Sequence, residues 1–385
     1  MKRTITEFSK NDEADLLLNW QHLHSIPEKS SGEVKTSRYL ADKLKEYGYE
    51  VETFENGTGI IGVLEGKESG PTIGLRAEMD ALSYDIDGQT EYFHNCGHDA
   101  NCSIMLSVAK VIQSCNLLKK GKIKIIFQSA EETFKGAREL INTNRLNDLD
   151  YLIGVHLRSK DELTLGKAAP CVIHGASAHL KINIKGKSAH AARPEMGINA
   201  IEIASSLINQ IKKDLVIQTN VPYSSKATNI RGGGPSFNVI PANVEIIYDF
   251  RAQDNDLMAK LKNEVFKIIS NFNLEEGAAI DFEWSNGGYA AKYDKMMAAI
   301  ASNNIVEVLG AKNLVPPLKT PGAEDFHEYA IAIPKLKSTI LGIGADLVPG
   351  LHQFGMKFDK DALLIGAKII SFMVYDLLNK DYQSN

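Results

Sequence analysis

The six residues His94-Asn95-Cys96-Gly97-His98-Asp99 form the densest run of reactive side chains in this sequence. A Cys and a His two apart on an extended or loop segment can point to one side and reach a common metal ion. As thiolate and neutral imidazole they suit zinc or a similar cation. A buried Cys beside a surface His fits the same residues without any chemistry, and a Cys–His nucleophilic pair is a third reading. Glu131 and Glu132 favour the metal. Adjacent carboxylates repel unless a cation or a shared proton compensates, and a natural division makes one a ligand and the other a general base acting on water. A Glu-Glu dipeptide alone is usually a solvated helix start, so its weight comes from combination with the other residues. His156, ending YLIGV, and His352, in GLHQF after Pro349-Gly350, are the remaining histidine ligand candidates.

The elements that must carry these residues are legible as periodic runs. Residues 11–49 read as helices from EADLLLNWQHLH and SRYLADKLKEYG. Strand-like GIIGVLEG and PTIGLRA follow, then a helix that begins after residue 98, strand KIKIIFQS, helix KGARELINTNRL and strand YLIGV. Alternating strands and helices predict a parallel or mixed sheet covered on both faces. Glu78 and Asp80 follow one strand, Glu131 and Glu132 the next, and His156 a third. In an open α/β sheet, ligands bind beyond the carboxyl ends of the strands.

Near residue 174 the pattern changes. HLKINIKG, NAIEIASSLINQIKKDL, KATNIRGG, NVEIIYDFRAQ, LMAKLKNEVFKIISNF and AAIDFEW read as β-α-β-β-α-β, the ferredoxin-like order. Residues 176–286 are therefore expected to form an inserted α+β domain, and residues 1–175 with 287–385 an α/β/α catalytic domain.

Composition excludes other classes. The 385 residues carry a net charge of −5, with 44% hydrophobic and 24% charged residues, as in an ordinary soluble protein. No basic stripe exists for a phosphate backbone, so nucleic acid is not an expected partner. Arg231-Gly232-Gly233-Gly234-Pro235-Ser236 lacks the Lys and spacing of a phosphate-binding loop. The start of the chain has no apolar secretory core and no run has the length of a membrane helix. Four cysteines make no disulfide framework. A cytoplasmic location follows as an expectation.

The chain resembles the dinuclear metallo-amidohydrolases that include aminoacylase-like enzymes, hippurate hydrolases and auxin-conjugate hydrolases. The resemblance runs through eight motifs in order: residues 74–82 (GLRAEMDAL), 94–99 (HNCGHD), 127–132 (FQSAEE), 154–156 (GVH), 186–192 (GKSAHAA), 238–241 (NVIP), 322–326 (GAEDF) and the late His352. It implies metal ligands Cys96, His98, Glu132, His156 and His352, and Glu131 as the catalytic base. It also implies that Asp80 orients a ligand. Five ligands suit two ions about 3.5–4 Å apart, zinc or manganese, with cobalt as a further candidate. His190 and Asn238 match inserted-domain residues that hold the substrate carbonyl oxygen, in some relatives within a partner subunit's site, so the inserted domain is expected to act as a lid or a dimerisation surface. Arg251 is a candidate clamp for a substrate carboxylate, since a guanidinium fork suits that anion; a strand-end surface arginine is the alternative.

The activity implied is hydrolysis of the amide bond of N-acyl amino acids or small peptide-like conjugates by a metal-activated water with a Glu base. A dipeptidase or carboxypeptidase using the same metals, or an inactive binding homologue, are the alternatives. Four departures stand out from the family's pattern. Asn101 replaces a common His, Glu78 a common Asp, Thr133-Phe134-Lys135-Gly136 a Gly-rich segment, and Asp249-Phe250 a Gly-Thr pair.

Overall fold

A computed structural model describes residues 1–54, 58–285 and 287–380. The chain divides into two compact units, residues 1–173, 292–319 and 325–385, and residues 174–291 with 320–324.

The first unit is built on a seven-stranded sheet in the order Glu50–Thr53, Ile60–Glu65, Lys120–Gln128, Glu68–Glu78, Tyr151–Ser159, Lys337–Leu347, Ala168–Ala169. The four strands from Lys120–Gln128 to Lys337–Leu347 run parallel, and the outer strands pair antiparallel. Strand periodicity explains how both faces are covered. Along Lys120–Gln128, Ile123, Ile125 and Phe127 enter one core and Ile126 the other. The first core takes in the helices Lys2–Asn11, Glu13–His24, Val34–Glu46, His98–Ser114, Lys295–Leu309 and Asp361–Asn379. The second is closed by the shorter helices Gly136–Asn142 and His327–Ala332. The result is an α/β/α arrangement.

Two local features differ from the sequence reading. Helix His98–Ser114 begins on His98 itself, because Gly97 takes the left-handed conformation (φ 85°) as its N-cap. Cys96 therefore lies in a loop, one of the two settings expected, while His98 opens the helix. The strand Tyr151–Ser159 runs three residues past His156, so that ligand candidate projects from within a strand. A hairpin, Leu82–Ile86 with Gln89–Phe93, joins strand Glu68–Glu78 to the Cys96 segment. Its central residues Asp87 and Gly88 both have positive φ (53° and 80°), the geometry an Asp-Gly pair favours in a two-residue turn.

The second unit is a four-stranded antiparallel sheet in the order Tyr223–Gly232, Asn243–Ala252, Ala176–Lys185, Ala279–Ser285. With helices Ala200–Asp214 and Asn255–Ser270 this gives the ferredoxin-like connection expected from the sequence. Both helices are capped by side chains. Asn199 accepts from the Ile201 N–H and Asp254 from the Leu257 N–H. Strict alternation along Asn243–Ala252 sends Val244, Ile246, Tyr248, Phe250 and Ala252 into the unit's core. The opposite face keeps Glu245, Asp249 and Arg251.

Beneath the strand ends of the first unit lies a buried ionic network. Arg76, fully buried, donates to Glu78, to Asp325 Oδ1 (2.6 Å) and to Gln128 Oε1 (2.9 Å). Gln128 returns its amide to both Asp325 oxygens, and Tyr329 donates to Gln128 Oε1. Breaking a buried ion pair leaves uncompensated charge. Arg76→Met is expected to cost about 3–5 kcal/mol, read as a fall in the urea midpoint; a loss under about 1 kcal/mol would show that Glu78 and Asp325 do not depend on this cation.

Candidate metal centre

The candidate ligands in the first unit reach the site from four places in the fold. Cys96 precedes helix His98–Ser114 and His98 opens it. Glu131 and Glu132 follow strand Lys120–Gln128, His156 projects from strand Tyr151–Ser159, and His352 lies in the loop after strand Lys337–Leu347.

Their donor atoms converge. Cys96 Sγ is 3.5 Å from His156 Nε2 and 3.3 Å from His352 Nε2. His98 Nε2 is 3.9 Å from both Glu131 Oε2 and Glu132 Oε1. His352 Nε2 is 3.5 Å from Glu132 Oε1. Three overlapping groups, Cys96–His98–His156, Cys96–Glu132–His352 and His98–Glu131–Glu132, each keep their donor atoms within 4.8 Å of one another.

The rings are aimed by their other nitrogens. His98 Nδ1 meets the Asp80 carbonyl at 2.9 Å and Asp80 Oδ1 at 3.2 Å, which directs Nε2 into the cluster. His156 Nδ1 meets the Leu157 carbonyl at 2.6 Å and so turns its Nε2 toward Cys96. His352, held in the left-handed region (φ 63°), donates its backbone N–H to Asn95 O at 2.7 Å. Its own carbonyl accepts from Tyr84 OH at 3.0 Å, so the hairpin supports the His352 loop. Tyr84, Phe93 and Phe354 form an edge-to-face aromatic group beside it.

The electrostatics suit a cation. His98 is fully buried, and its Nε2 has no hydrogen-bond partner, an orphaned donor-acceptor atom that ordinary folding does not leave. Burial, reinforced by the Glu132 carboxylate, pushes the Cys96 thiol up to about 12. Burial opposes the His98 cation, but the Cys96 sulfur and the Asp80 carboxylate outweigh it and hold the ring well above the usual imidazole range. Burial and the neighbouring His98 push His352 down. A divalent ion satisfies a set of this kind by displacing protons and pairing with the carboxylates.

Asn101 and Glu78 act together behind the site. Asn101 Nδ2 donates to Glu78 Oε2 at 3.1 Å, while Glu78 Oε1 takes Arg76. Both departures from the family pattern thus fall on one hydrogen bond between two buried residues.

The other three candidates lie in the second unit. His190, on strand Ala189–His190, pairs with Val239 of strand Val239–Ile240, and Ala191 N–H donates to Asn238 O at 2.9 Å. His190 and Asn238 are therefore neighbours, and both are exposed. His190 Nδ1 accepts the Ala192 N–H at 3.0 Å, so the neutral ring carries its proton on Nε2. Arg251 is engaged by Asp249 through Nε and Nη2, both at 2.9 Å, and His179 meets the same carboxylate at 3.1 Å. The guanidinium edge best suited to a bidentate anion is filled from within its own strand.

The sequence reading missed a loop of supporting residues. Ser30 donates to Asp80 Oδ2 at 2.6 Å, and Glu33 accepts from Ser129 and Ala130. His24 also meets the buried Asp99 at 2.7 Å. Only an acidic residue in a Ser/Gly stretch, KSSGE, hinted at any of these.

Residues 74–376 match the family model described as "Peptidase family M20/M25/M40". The chain belongs to this family. An N-acetyl-L-cysteine deacetylase of Bacillus subtilis is 27% identical over 95% of this M20 chain and 88% of its own length. An IAA-amino acid hydrolase, ILR1-like 4, of Arabidopsis thaliana is 29% identical over 86% of this chain and 78% of its own. The solved structure of a putative aminohydrolase from methicillin-resistant Staphylococcus aureus superimposes with a TM-score of 0.87 at 26% identity, over 98% of this chain and 100% of that one. Family and architecture are those of a metal-dependent amidohydrolase. Among the described residues, no helix is long and apolar enough to cross a membrane.

The sign of the pH effect follows from the shifts. Cys96 and His98 both sit above their ordinary values, so both carry protons that a bound cation must displace, and falling pH weakens binding. Calorimetric titration of chelator-stripped protein with zinc, in buffers of different ionisation enthalpy, is expected to record net proton release throughout about pH 6 to 8, with an apparent affinity that falls as pH is lowered. Zinc binding without proton release would remove Cys96 and His98 from the ligand set.

Proposed function

We propose that this M20 protein hydrolyses the amide bond of N-acyl amino acids or small peptide-like conjugates. Cys96, His98, Glu132, His156 and His352 would hold two divalent ions, and Glu131 would be the base. The observation that carries this reading is the set of three overlapping donor groups sharing Cys96, His98 and Glu132, with Glu131 on their margin. Sharing of that kind suits two neighbouring ions better than one. Zinc fits the thiolate and imidazole donors, and manganese or cobalt can occupy such a set.

When bound, the ions supply polarisation of the scissile carbonyl and acidification of water. The protein's own groups then handle protons and orientation. Glu131 takes the proton of the attacking water and returns it to the leaving amine. Asp80 fixes His98 in the tautomer that presents Nε2. His190, with its proton on Nε2, and the Asn238 amide are donors for the carbonyl oxygen as it gains charge. Arg251 would meet a substrate carboxylate through the Nη1 side, since Asp249 engages the other edge. The inserted unit would serve as a lid and a homodimer contact, and the enzyme would work in the cytoplasm.

A dipeptidase or carboxypeptidase is the second reading. A thermostable carboxypeptidase of Saccharolobus solfataricus, 26% identical over 98% of this chain and all of its own, favours keeping it in view. Amine release from N-acetyl, N-benzoyl and longer N-acyl amino acids, beside free dipeptides, separates the two on metal-reconstituted protein. Glu131→Gln is expected to lower kcat by roughly 10²–10⁴-fold while two ions remain bound. Near-full turnover in that variant would remove Glu131 as the base. Asp249→Ala is expected to lower KM about threefold or more for substrates with a free carboxylate, by releasing the Arg251 fork; an unchanged KM would show that Arg251 is not the clamp.

A further inference from the structure

Glu131 and Glu132 hang from a turn that has little reason to adopt its shape. Ala130, directly before Glu131, has φ 55°, a left-handed conformation that a Cβ-bearing residue rarely takes. The turn folds back on itself. Phe134 N–H donates to Glu131 O at 2.8 Å, and Gly136 N–H reaches Ala130 O at 3.2 Å. Gly136 is needed there, since a Cβ would lie 1.6 Å from Ser129 O. These contacts close the loop after Ala130 but do not hold the Ala130 N–H, which is buried.

That N–H is held by Glu33. The fully buried Glu33 carboxylate accepts the Ala130 N–H on Oε1 at 2.9 Å and the Ser129 hydroxyl on Oε2 at 2.6 Å. Glu33 is itself rigidly placed. It precedes helix Val34–Glu46, its carbonyl accepts the Ser37 N–H at 2.9 Å, and Oε1 also takes the Ser31 N–H at 3.1 Å. The same loop grips the neighbouring strand end: Ala81 N–H donates to Glu28 O at 2.8 Å, and Ser30 donates to Asp80 Oδ2. Asp80 Oδ2 in turn takes the Glu132 N–H at 3.0 Å. One loop thus holds the Ala130 N–H directly through Glu33 and the Glu132 N–H indirectly, through Ser30 on Asp80.

We propose that Glu33 is a positioning residue for hydrolysis: its carboxylate holds the left-handed Ala130 peptide so that Glu131 is aimed at the reacting water. The inference rests on the reading of Glu131 as the base. Two requirements follow from the geometry, an acceptor oxygen and a full glutamyl reach. Glutamine keeps the reach and one acceptor; aspartate keeps the charge and retracts it by one methylene.

The experiment measures kcat, KM, bound metal and the thermal midpoint for wild type, Glu33→Ala, Glu33→Asp, Glu33→Gln and Ser129→Ala, on the best N-acyl amino acid found for the wild type. Misplacement of a reacting group by about 1 Å costs roughly 10²-fold, so Glu33→Ala and Glu33→Asp are expected to lose about 30-fold or more in kcat with KM within about threefold. Glu33→Gln should keep kcat within about fivefold, and Ser129→Ala, which leaves the Ala130 contact, should do the same. A folded Glu33→Ala with near-wild-type kcat, a loss confined to KM, or equal losses in Gln and Asp would overturn the proposal. Should Glu33→Ala fail to fold, the Gln and Asp pair decides by the same criteria. A wild type without metal-dependent amide hydrolysis defeats the functional reading itself, whereas an active wild type with a dead Glu131→Gln and an indifferent Glu33 series defeats this inference alone.

Discussion

The Asp80 carboxylate is fully buried between a helix start, a loop and a turn, and each of its oxygens serves a different part of the site. Oδ1 faces His98 Nδ1, and Oδ2 takes the Ser30 hydroxyl and the Glu132 N–H. Burial penalises its charge, but His98, Ser30 and the Glu132 N–H together hold the carboxyl below the ordinary carboxylate range. One buried anion therefore fixes which His98 nitrogen faces the cluster and where the paired glutamates start. The parallel sheet makes this arrangement attainable. Strands Glu68–Glu78 and Lys120–Gln128 end in register, Glu78 opposite Gln128, so the residues just beyond each strand lie side by side.

Much of this was legible in the sequence because it obeys a period. Apolar runs such as KIKIIFQ announce a strand buried on both faces, and the ionisable residues after them announce its functional end. The ferredoxin-like order of the inserted segment was likewise written in alternating and helical spacing, and the observed sheet order follows it. The Cys96–His98 spacing was suggestive by residue type, but the reason the two converge is Gly97, whose left-handed φ lets a helix begin between them.

What was not legible depends on contacts between residues far apart along the chain. Glu33 meets Ala130 across 97 positions, and no local pattern encodes that distance. The Asp87-Gly88 pair suits the hairpin turn it makes, yet the hairpin's use, bracing the His352 loop through Tyr84, requires a partner 268 residues away. Arg251 shows the opposite limit. Its residue type suggested an anion clamp, and only the fold brings out that Asp249, two residues earlier on the same strand face, already fills one edge of it.

The Asn101–Glu78 hydrogen bond has an electrostatic consequence as well. Its donor is an amide, which stays neutral at every pH, so the Asn101 side of this buried contact neither gains nor loses a proton beneath an ionisable cluster.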